Sequence, residues 1–203
     1  MKKTGIVLTV IIFFNLAITI FQSCCEPGTV THKLESLQAE LKRITGIEVS
    51  GSLNSGNFIV EEYQPGGNGI RYDSLGIRIN NNLTVAENIT PRLNLGGSNL
   101  YACEPGEEYD ILSEVIITSS EDYNDAYPKG SNLDEIMNVR NYYSVQGNNI
   151  SYFMANKQLD NTAFFYTFTY PPSADKYHDI TFKYYLVGGG EYHTTINGIL
   201  IKK

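Results

Sequence analysis

Apolar positions along this chain fall into two regimes. Residues 5–21 form an almost unbroken apolar run behind Lys2 and Lys3, whereas from Gly46 onward apolar and polar residues alternate in short stretches separated by Gly, Asn and Pro clusters. Alternation places successive side chains on opposite faces of an extended chain. It is cleanest at 179–187, where Ile180, Phe182, Tyr184 and Leu186 share one face. Gly188-Gly189-Gly190 then turns the chain, and 191–201 returns as a hairpin partner, with Asn197-Gly198 marking a bulge or tighter turn inside it. Runs at 47–53, 58–63 and 163–170 read the same way, and 70–72 with 77–80 reads as one strand interrupted at Ser74-Leu75-Gly76. The run at 112–118 contains Val115, Ile116 and Ile117 in succession, which predicts burial on both faces. Residues 93–102 are broken by Gly96-Gly97, and 119–130 is a long irregular stretch.

Two segments depart from the period of two. Leu34, Leu37, Leu41 and Ile44 recur at helical spacing, so 29–44 is predicted as a short amphipathic helix, with a strand beginning near Ile44 as the competing reading. Asn132, followed by Asp134 and Glu135, predicts one or two helical turns over 132–139. About seven to nine short strands with turn signals between them, and no strand–helix rhythm, predict an all-β antiparallel β-sandwich of immunoglobulin-like type with one or two short helices. The expected organisation is a leader at 1–23, a tether with the possible helix at 24–45, and the sandwich at 46–203.

Composition supports strands. Fifteen Tyr, nine Phe and no Trp accompany abundant Val, Ile and Thr, and 18 Gly supply turns. The net charge is −7, and the leader holds two of the lysines, so the remainder is two units more negative. Such a chain has no basic stripe for a phosphate backbone, which excludes a nucleic-acid partner.

The leader carries the most specific signal. A charged start, an apolar core and Ser23-Cys24-Cys25 follow the order of a secretory signal peptide. The run of about 17 residues is at the lower limit for spanning a bilayer, so a retained anchor is the competing reading. Ser23-Cys24 resembles the lipobox, in which the chain is cut before a Cys that carries lipid; Phe21 and Gln22 depart from its usual small or branched residues. The resemblance implies lipidation at Cys24, since two or more acyl chains give stable membrane anchoring. Cys25 and Cys103 both open a Cys-Glu-Pro-Gly tetrapeptide. In an oxidising compartment they could form a disulfide between tether and domain, or Cys103 could be a small buried hydrophobe.

Few residues suggest catalysis. His32, His178 and His193 have no metal-ligand spacing, although His178 and His193 could face each other across the last hairpin. No nucleophile elbow, phosphate loop or dinucleotide fingerprint occurs. Glu104, Glu107, Glu108 and Asp110 form one acidic cluster; Glu121, Asp122, Asn124 and Asp125 form another, which fails the calcium-loop pattern at Ala126. No metal site and no cofactor are therefore expected. The loop residues Asp122, Tyr123, Asn124, Asp125 and Tyr127 are the candidate binding surface, with 64–69 as a second loop.

A strand ending Ile117-Thr118-Ser119, then Asp122-Tyr123-Asn124, then Tyr127-Pro128, Gly130-Ser131 and Leu133, is similar to a segment of a small Bacteroidota lipoprotein family of unknown function. With Ser23-Cys24-Cys25, this resemblance implies a cell-envelope, outer-membrane lipoprotein. It carries no activity over. Asp73-Ser74-Leu75 looks like the O-glycosylation site of that phylum, which makes Ser74 a modification candidate. The expected role is a non-enzymatic binding or accessory module tied to the membrane by lipid, with an unknown protein or glycan partner. The alternatives are a subunit of a fimbria-like assembly, with 198–203 as the donated strand, and a glycan-binding accessory of polysaccharide uptake.

Overall fold

The computed structural model describes residues 29–49, 56–88, 93–95, 98–100, 106–141, 143–155 and 157–203. Cys24, Cys25, Cys103 and the leader lie outside these residues. The chain divides into two units. The larger comprises Lys33–Thr84 and Tyr109–Lys203. Described parts of the smaller are 29–32, 85–88, a hairpin of β5 (Leu93–Leu95) and β6 (Ser98–Leu100), and 106–108.

The larger unit is an all-β sandwich, as the pattern predicts. Its first sheet contains β1 (Thr29–Val49), β2 (Gly56–Glu62), β4 (Leu75–Asn88), β9 (Met137–Asn141), β10 (Asn148–Asn149) and β11 (Phe164–Phe168) in the order β10-β9-β11-β4-β1-β2. A further strand, β7 (Gly106–Tyr109), joins β1 off this path. The second sheet has β3 (Ile70–Arg71), β8 (Leu112–Ser119), β12 (Lys176–Leu186) and β13 (Glu191–Lys202) in the order β3-β13-β12-β8. All its pairs are antiparallel except β3 with β13. These strand orders establish the sandwich; an immunoglobulin-like connectivity is not part of what they establish.

The core follows from strand parity. Ile180, Phe182 and Tyr184 of β12 are fully buried, as their alternation predicts, and face Phe164, Tyr166 and Phe168 of β11 and Leu75, Ile77 and Ile79 of β4. Burying one such side chain contributes about 1.5–3 kcal/mol. Between the two sheets the hydroxyls of Tyr166 and Tyr184 lie 2.7 Å apart. Burial pushes both phenols well above their ordinary pKa, so both remain protonated, and one donates to the other.

β11 is buried on both faces. On the outer face, Phe165 lies over Gly76, where an added Cβ would come within 2.1 Å of the ring. Arg140 donates to the carbonyls of Ser144 and Val145 and to Thr167 Oγ1, and sits 5.0 Å over the Phe58 ring. Desolvation pushes Arg140 down to about 10, still charged near neutrality. The first sheet curls to build this second layer: Phe58 N donates to Tyr143 O at 2.7 Å, and Val145 N to Gly56 O at 2.9 Å.

The helix expected over 29–44 is instead strand β1. Leu37, Ala39 and Leu41 keep a period of two, but Leu34 is one residue out of step, and the register shifts again between Ile44 and Gly46. A strand with irregularities imitates helical spacing. Residues assigned to the tether are thus part of the sheet. The run 70–80 is likewise not one strand. A 3₁₀ turn at Tyr72–Ser74 sends β3 to the second sheet and β4 to the first. The turn expected over 132–139 is confined to Asp134–Ile136, and β8 alternates rather than being buried throughout. The helix α1 (Ile150–Met154) was not anticipated; Asn149 caps it by accepting from Tyr152 N.

The Tyr166–Tyr184 pair predicts a specific pattern in chemical denaturation. Tyr184→Phe leaves a buried hydroxyl without a partner and should cost about 1–3 kcal/mol. The double change to Phe at both positions should cost less than the sum of the single changes. Strictly additive losses would show that the hydroxyls are not coupled.

Candidate functional site

An open groove of about 760 Å³ lies at one edge of the larger unit. Three cations line it: Arg43 from β1, Arg71 from β3 and Lys202 from β13. Thr45, Asn68 and Ser74 add neutral polar groups. The β3–β13 pairing makes the site, because its parallel register sets Arg71 beside Lys202. The chain reaches β3 through Gly69, which has φ 77°, and a Cβ there would lie 2.8 Å from both Leu200 and Lys202. Only glycine fits that approach.

The electrostatics favour an anion. Arg71 is paired with Asp73 at 2.6 Å, and Ser74 Oγ donates to the same carboxylate at 3.2 Å. Arg43 rests 5.2 Å over the Tyr63 ring and, like Lys202, has no carboxylate within ion-pair distance among the described residues. Two like charges in neighbouring register positions repel; Asp73 pairs with Arg71, and Glu61 stands opposite Arg43 in the β1–β2 register. Each of the three cations is ordinary in its local sequence, and only the sheet switch at 72–74 brings them together.

The candidate loop at 119–130 is built largely for its own structure. Tyr123 is fully buried: its ring stacks on Phe168 at 5.0 Å, and its hydroxyl donates to Tyr170 O at 2.8 Å. Burial pushes its phenol up, and the ring is not available to a ligand. Asn124 Oδ1 accepts from Ala126 N and Tyr127 N, and Asp122 Oδ1 accepts from Lys129 N at 2.7 Å. Tyr127 donates to Glu135 Oε2 at 2.8 Å. Asp122 and Asp125 are exposed and Tyr127 is half-buried. Ser74, by contrast, lines the groove.

His178 and His193 do not face each other; the register pairs His178 with Ile199 and His193 with Lys183. His178 is buried, with Nδ1 at 2.8 Å from Ser119 Oγ and Nε2 without a partner. Both residues are sealed from solvent, so this Ser–His contact has no route to a substrate. No group of three or more His, Cys, Asp or Glu among the described residues could hold a metal. None of the helices among them is long and apolar enough to cross a membrane. No family model, curated protein or solved structure matches the chain.

Burial, followed by the charge of Lys176, lowers the His178 pKa below its ordinary 6.5. The unfolded chain therefore takes up the proton first on acidification, and stability should fall as pH drops below about 6.5. Thermal melts between about pH 7.5 and 5 should show this slope, reduced in His178→Asn. An unchanged slope in the variant would assign the acid sensitivity to other groups.

Proposed function

We propose that this protein is an exported, lipid-anchored, non-enzymatic binding module of the bacterial cell envelope, tied to the outer membrane through Cys24. Its groove takes an extended anionic ligand, and an acidic glycan fits best. The observation that carries this reading is the set of three cations around an open groove in a chain of net charge −7. The groove is also large enough for several sugar rings, and Thr45, Asn68 and Ser74 suit their hydroxyls. The lipobox-like Ser23-Cys24 supports the anchor. The fimbria-like alternative loses its donated strand, because residues 199–202 are already paired with β12, β3 or both.

Titration calorimetry at low salt tests the ligand class. Oligogalacturonate or a sulfated oligosaccharide should bind, neutral dextran oligosaccharides should not, and added salt should weaken the interaction. A charge-assisted contact is worth about 1.5 kcal/mol, so Arg43→Gln and Lys202→Gln should each lower affinity about tenfold. Equal binding by the double variant would refute the groove as the site.

The anchor is tested separately. Cells fed an alkyne fatty acid should label the wild-type protein and leave Cys24→Ala unlabelled. Label persisting in that variant would move the lipid elsewhere.

A further inference from the structure

The edges of the second sheet are managed unequally. On the β8 side, Leu133 N donates to Ile117 O, Asn132 Oδ1 accepts from Ile117 N, and Leu112 N donates to Lys157 O. On the other side, β3 covers β13 only at Ile201 and Lys202. Residues 191–197 of β13 therefore have no strand partner beyond β12 among the described residues. Exposed edges are usually blunted by Lys, Pro or brevity. This edge runs Glu191-Tyr192-His193-Thr194-Thr195-Ile196-Asn197, with neither Lys nor Pro.

We propose that this edge pairs antiparallel with the same edge of a second copy of the chain, about a two-fold axis at Thr194. The sequence is complementary to itself in that register. Tyr192 falls opposite Ile196 of the partner subunit, and Thr194 opposite Thr194 of the partner subunit; both are favourable cross-strand pairs. His193 falls opposite Thr195 of the partner subunit and Glu191 opposite Asn197 of the partner subunit, so no like charges meet. Each off-axis pair occurs twice and the Thr194 pair once, on the axis, as an isologous interface requires.

A second observation points to the same occupant. Ile196 lines a cleft of about 200 Å³ with Leu41, Tyr63 and Pro65. Tyr63 is 7 % exposed, and its hydroxyl is buried without a hydrogen-bond partner. Cross-strand neighbours point to the same face, so Tyr192 of the partner subunit arrives beside Ile196 at this cleft. Its ring would cover the apolar part of a cleft that Glu40, Glu62 and Gln64 also line, and its hydroxyl would bring a partner toward the unpaired Tyr63 hydroxyl. Tethering to a common membrane would raise the effective concentration of such an edge contact.

Cysteine cross-linking of the full-length protein tests the register, with wild type as the background for the native cysteines. Oxidation should convert Thr194→Cys to a covalent dimer several-fold more than Lys183→Cys, which lies one strand in from the edge. A mixture of His193→Cys and Thr195→Cys copies should cross-link more than either variant alone. Both positions are exposed, so this arm stands even if Thr194→Cys folds poorly. Cross-linking no greater than at Lys183→Cys in both arms overturns the pairing. Cross-linking in cells to a different protein also overturns it, and would make the edge an acceptor for a foreign strand.

Discussion

β11 is the constraint on which the rest of the architecture depends. All five of its residues are buried, so the strand needs cover on both faces. The second sheet covers one face through Phe182 and Tyr184. Among the described residues the other face is covered by Phe58 of β2 and Tyr143, where β2 curls back to the segment after β9. Arg140 holds that return in place by bonding two carbonyls of the segment and Thr167 of β11 itself. A polar side chain in a dry layer is worth having only when most of its donors are satisfied, and four protein contacts engage this guanidinium.

The curl leaves the opposite side of the sandwich open. At the second sheet's edge β3 adds two residues and no more. That opening becomes the cationic groove. Nearby, Lys42 is nearly buried between Glu40 and Glu62. Burial opposes its charge, but its hydrogen bonds to both acids hold its pKa above the ordinary value. This cation is fully committed to the fold. Arg43, one residue later and on the opposite face, rests on the Tyr63 ring and lines the groove. Strand parity separates the buried, paired cation from the one that lines the groove.

The open groove and the open β13 edge share a wall. Tyr63 carries Arg43 on its ring and lines the cleft beside Ile196. Ligand capture and pairing of two copies are thus separate proposals that meet at one side chain. If both proposals hold, two grooves facing one polymer would bind by avidity.

The strand-rich class, the β12–β13 hairpin and the central core residues were legible in the sequence. Period-two alternation and glycine turns are local signals, and Ile180, Phe182 and Tyr184 obey them without interruption. The helix expected at 29–44 failed because irregularities in β1 shift its apolar residues out of alternation, which a linear pattern cannot distinguish from a helical stripe. The candidate loop also changed meaning: Tyr123 looked like an exposed aromatic and is a buried anchor, a difference set by Phe168 and Tyr170 more than 40 residues away. The groove was not legible at all. Arg43, Arg71 and Lys202 acquire a shared role only when the turn at 72–74 hands β3 to the second sheet. Sequence fixes which residues prefer extended chain and which faces are apolar, because those preferences act over two to four residues. Only the tertiary structure decides which edges stay open and which charges lie side by side, because both depend on contacts between strands far apart along the chain.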